Sequence, residues 1–138
     1  MAEKFKNLVD LFERSTAEYK SRELFGTKQG ESWSWMTYGE FKKLVDDLRG
    51  GLASLGVGAG DKVAIIANNR VEWAAACYAT FGLGAAFVPM YEAQHPEEWQ
   101  FILDDCGAKV VIGATQPIYE KLKEIQWALP GLKHVVGL

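Results

Sequence analysis

The sequence predicts an α/β domain with a mostly parallel sheet, crossover helices and a short N-terminal hairpin. Three observations predict it. Short apolar runs recur at 62–67, 85–88, 110–112 and 134–136. Helical patterns with their own start signals stand between those runs. The runs are continuously apolar rather than alternating, which suits strands covered on both faces. Strand and helix alternating in this way is the signature of a parallel sheet, with right-handed crossovers.

The elements follow in order. Residues 7–20 are helical in pattern, with Leu8, Leu11 and Phe12 at helix spacing and Val9 beside them. Leu24 and Phe25, then Trp33 and Trp35, flank a Gly/Lys/Gln turn. That is a hairpin whose two tryptophans share a face by period-two spacing. Thr37 and Glu40 form a T-x-x-E capping box, with Met36 and Phe41 placed as a hydrophobic staple. Phe41, Leu44, Val45, Leu48, Leu52 and Leu55 then follow one helical face, and Gly56 is suited to end it. Asn69 and Glu72 mark the start of a helix over about 70–82. Pro89 closes the second strand run. Pro96 opens a helix at its favoured first turn, carrying Trp99, Ile102 and Leu103, and Gly107 ends it. Pro117 opens the last helix, with Ile118, Leu122 and Ile125.

Composition limits the function classes. The chain of 138 residues fits a single domain over 1–138, with 49% hydrophobic and 24% charged residues. A net charge of -3, with both signs interleaved, gives no basic face for nucleic acid. The N-terminus lacks the apolar core of a signal peptide. The longest apolar stretch, 74–90, is broken by Thr80, Gly82, Gly84 and Pro89, so no transmembrane segment is expected. Cys77 lies in an apolar helical run and Cys106 at a helix end. Two such cysteines make no disulfide framework, so a cytoplasmic setting is expected.

No single motif carries chemistry. Gly56-Val57-Gly58-Ala59-Gly60-Asp61 is glycine-rich, but it follows a helix and precedes a strand. A phosphate-binding glycine loop has the reverse context, so this is a turn. Asn68, Asn69 and Glu72 stand at a strand's C-terminal end, the edge that hosts ligands in parallel sheets. Helix capping explains them without a ligand. His95 precedes Pro96 and His134 enters the last strand; neither has partners at catalytic or metal spacing. Asp104 and Asp105 are adjacent and diverge on a helix. No serine stands in G-x-S-x-G. Trp73, Tyr78 and Phe81 read as core. No catalytic, cofactor-binding or metal residue is therefore assigned.

One ordered set is more specific than any of these. Trp35-x-Thr37-Tyr38-x-Glu40 is followed by LRGGLASLGVGAGDKVAIIANNRVEW over 48–73, GLGAAFVPMY over 82–91 and FILDDCGAKVVI over 101–112. From about Leu8 to Leu138 the chain resembles the opening of the adenylate-forming (AMP-binding) synthetases, the N-terminal part of their large domain. Pro89-Met90-Tyr91-Glu92 with Pro96-Glu97-Glu98-Trp99 is similar to long-chain fatty acyl-CoA ligases. The resemblance implies a parent acid–thiol ligase using ATP, Mg2+ and coenzyme A, which forms an acyl-adenylate and then an acyl-CoA. The family's Ser/Thr/Gly-rich phosphate loop, its ribose-binding acid and its C-terminal lysine have no counterpart here.

The expectation is an inactive N-terminal fragment of a longer synthetase, because the strand–helix pattern breaks off at Leu138. Its partner would be the remainder of that chain, and it would need no cofactor of its own. A self-standing nucleotide-binding or assembly module is the alternative. Helix 70–81 is apolar nearly all round, and the final strand offers an edge, so a homo-oligomer is also expected.

Overall fold

A computed structural model describes residues 4–138. The sequence of elements is α1 (Leu8–Glu18), β1 (Glu23–Gln29), β2 (Ser32–Thr37), α2 (Tyr38–Ser54), β3 (Lys62–Ile66), α3 (Val71–Gly82), β4 (Ala86–Met90), α4 (Pro96–Cys106), β5 (Val110–Gly113), α5 (Gln116–Ile125), a 3-10 turn (Gln126–Ala128) and β6 (His134–Gly137). The reading of the first residues as lacking a signal peptide falls partly on 1–3, outside the described residues.

The four-stranded sheet has the order β4-β3-β5-β6 and every neighbour is parallel. The chain moves from β3 to β4 on one side, then returns past β3 to β5 and on to β6. Helix α3 lies on one face, α4 and α5 on the other. Opposite directions of travel with helices on opposite faces keep one hand throughout.

Strand side chains alternate between two cores, as a period of two requires. Val63, Ile65, Val110 and Ile112 join Phe12, Phe41, Val45 and Leu52 on the α1–α3 face. Ala64, Ile66 and Val111 join Trp99, Leu103, Ile118 and Leu122 on the α4–α5 face. All seven of these strand residues are 0% exposed. Gly113 lets α5 close down on β5, since a Cβ there would lie 3.2 Å from Ile118 Cγ2 and from Tyr119 N.

The start of α2 follows the capping box. Thr37 Oγ1 accepts from Glu40 N at 3.2 Å and Thr37 N donates to Glu40 Oε2 at 2.7 Å. Such a cap stabilises a helix by about 1 kcal/mol. Gly56 (φ 83°) and Gly107 (φ 64°) end α2 and α4 in the left-handed conformation. The hairpin is antiparallel, and Trp33 and Trp35 stack on one face at 6.1 Å over Gly26.

Several local expectations need correction. Helix α1 is shorter than 7–20 and is capped by Asn7, whose side chain accepts from Asp10 N at 2.9 Å. Leu8 is exposed and Thr16 takes a buried place on that helix instead. Pro89 lies inside β4 rather than closing it. Asn69 does not cap α3; the N-cap position is Arg70, with no side-chain cap bond. No residue of α3 is exposed, because α1, α2 and the sheet cover it within this chain. Ala75, Ala76, Ala79 and Thr80 are buried, and the other residues of α3 are half-buried.

Candidate functional site

Strand β3 is flanked at its C-terminal end by two crevices. The connection leaving β3 goes to one face, whereas those leaving β4 and β5 go to the other. Where neighbouring connections diverge, the strand ends open a cleft that side chains do not fill, and ligands of α/β sheets bind there.

Polar side chains bridge both crevices. Between β3 and β4, the Glu92 carboxylate takes two donors of one residue: Asn68 N at 2.9 Å and Asn68 Nδ2 at 2.9 Å. Between β3 and β5, Arg70 Nη1 donates to the Ala114 carbonyl at 3.0 Å. The same guanidinium grips Glu72, Nε to Oε2 at 2.7 Å and Nη2 to Oε1 at 3.1 Å. That bond from Arg70 holds the Glu72 carboxyl below its ordinary range despite partial burial, and Glu72 in turn raises Arg70. Behind Glu92, Tyr91 N donates to Gln94 Oε1 and Trp99 Nε1 donates to Tyr91 O, both at 3.0 Å.

These bridges frame an open cleft of about 950 Å3 between the strand ends and the hairpin. Phe25, Met36 and Lys28 form the hairpin wall; Asn69, Trp73 and Thr115 form the wall opposite. A smaller hollow of about 560 Å3 lies between β3 and β4 under Tyr91. The cleft combines apolar walls with the cation of Lys28.

The Asn68–Asn69–Glu72 segment thus sits at the ligand edge, where Asn68 links the ends of β3 and β4 through Glu92 and Glu72 holds Arg70, and none of the three supplies the side-chain cap of α3. Sequence reasoning missed Arg70 and Glu92. Arg70-x-Glu72 is a possible local signal; Glu92 lies 24 residues from Asn68 and has none. The glycine-rich loop is a turn at the opposite end of the sheet. Asp61 Oδ2 accepts from Gly58 N at 2.8 Å and pairs with Lys109 Nζ at 3.0 Å. The Gly58 N–H chiefly, then Lys109, depresses the Asp61 carboxyl. His95 is the N-cap residue of α4, its N–H donating to Glu98 Oε2 at 2.9 Å. His134 opens β6. Asp104 and Asp105 are exposed. Burial raises the Cys77 and Cys106 thiols. Among the described residues no three His, Cys, Asp or Glu side chains are placed to share a metal ion.

The fold and sequence both have relatives. Residues 12–137 match the AMP-binding enzyme family. The long-chain-fatty-acid–CoA ligase FadD15 of Mycobacterium bovis is 34% identical over 106 residues, covering 77% of this chain and 18% of the relative. The long-chain-fatty-acid–CoA ligase ACSBG1 of Bos taurus is 32% identical over 132 residues, covering 95% of this chain and 18% of the relative. Among solved structures, the anthranilate CoA ligase AuaEII superposes with a TM-score of 0.86 at 27% identity, over 97% of this chain and 25% of that one. The Mycobacterium tuberculosis fatty acyl CoA synthetase gives 0.85 at 26%, over 96% and 26%. The chain therefore spans about a fifth of the length of the curated relatives it matches, and with residues 12–137 inside the family's pattern it belongs to the AMP-binding enzymes.

Proposed function

We propose that residues 1–138 form a single structural domain, the N-terminal portion of an ATP-dependent long-chain fatty acid–CoA ligase. The match over 12–137, together with relatives named long-chain-fatty-acid–CoA ligases, carries this reading. The parent would use ATP, Mg2+ and coenzyme A, forming an acyl-adenylate and then an acyl-CoA. Its remaining chain would dock at the C-terminal edge of the sheet, where the cleft is open.

The residues described here do not fit a nucleotide–metal site. Glu92 occupies the donors of Asn68, Glu72 occupies Arg70, and no trio of metal-ligating side chains converges. Phosphoryl and adenylyl chemistry needs charge neutralisation and positioning at the transferring phosphate. No step is assigned to this chain, and it is read as scaffold, inactive alone. Pyrophosphate exchange with ATP, Mg2+ and palmitate tests this: no exchange above a protein-free control is expected, and exchange that survives repurification overturns it.

A self-standing nucleotide-binding module is the second reading, favoured by Lys28 and Trp73 across the cleft. Calorimetry with ATP discriminates the two, since saturable binding to the isolated chain supports the module. A cytoplasmic setting fits the two free, half-buried thiols. No helix among the described residues is long and apolar enough to cross a membrane. Self-association is also proposed, through the apolar surface of α3, the edge of the final strand or both, and light scattering across a wide concentration range tests it.

A further inference from the structure

We draw no further inference here: the strongest candidate, the exposed face of the β1–β2 hairpin on which Trp33 and Trp35 stack beside Lys28, carries nothing, because nothing in the structure shows what covers it.

Discussion

The two ends of the parallel sheet are built from similar materials and do different work. Each has loops, a carboxylate and a cation. At the N-terminal end, Asp61 and Lys109 fold inward on the loop backbone: Asp61 takes Gly58 N, and Lys109 reaches the Gly56 carbonyl. The loop is closed on itself. At the C-terminal end, Glu92 and Arg70 reach across to neighbouring strand ends and leave a cleft between them. The difference comes from topology rather than composition. Helices arriving at the N-terminal end can be tied off locally, whereas connections leaving β3 and its neighbours diverge to opposite faces.

The largest effect that would sharpen this contrast is expected at Gly113, at the C-terminal end. Gly113→Val should cost about 2–3 kcal/mol, because its added carbons press on the backbone of α5 and overpacking must shift a helix. Urea unfolding measures it; a loss under about 0.5 kcal/mol would mean α5 can move aside freely. At the N-terminal end, Gly60→Ala should cost only about 1 kcal/mol. Space is open there, and the strain of φ 85° is the whole penalty. Equal costs at the two glycines would break the comparison.

Acid should loosen both ends. Asp61 and Glu72 have folded pKa values below their ordinary ones. The stability they contribute is present above about pH 4 and is lost as pH falls through their lower folded values. Asp61→Asn and Glu72→Gln should each flatten the acid limb of a stability–pH curve, modestly, as both groups are partly solvated. An unchanged acid limb in both variants would show that neither pair matters to folding. The smallest effect is expected for Asn68→Ala, well under 1 kcal/mol at an exposed site. Faster amide exchange at residues 91–94 should reveal it, and exchange identical to the parent would remove the Glu92 bridge from consideration.

Local signals carried most of the elements. The Thr37–Glu40 box, the prolines at helix starts and the apolar runs at β3 and β5 are short-range patterns, and the structure has each of them. Strand order was not legible, because nothing in the apolar run at 110–113 says that the chain will return from β4 past β3 to set β5 on the far side of β3. The candidate site was half legible. Asn68, Asn69 and Glu72 stand where the fold puts ligands, yet Asn68 bonds Glu92, 24 residues away, and Arg70, which holds Glu72, also reaches the Ala114 carbonyl, 44 residues away. Pro89 misled for a related reason: on an inner strand it would end pairing, and on an outer strand it merely points its missing donor away.

The stacked tryptophans of the hairpin have an optical consequence. Two indoles at 6.1 Å, inclined by 27°, are close enough for their strong ultraviolet transitions to couple. Coupled transitions split into bands of opposite sign in circular dichroism, overlapping the region used to estimate helix. The hairpin therefore writes its own signature into the spectrum, separate from the helices, and Trp33→Phe would erase it. Melting followed at that band reports the fraying of β1 and β2, while the helical band reports the two cores. The chain carries a built-in pair of probes for asking whether its hairpin and its sheet unfold together.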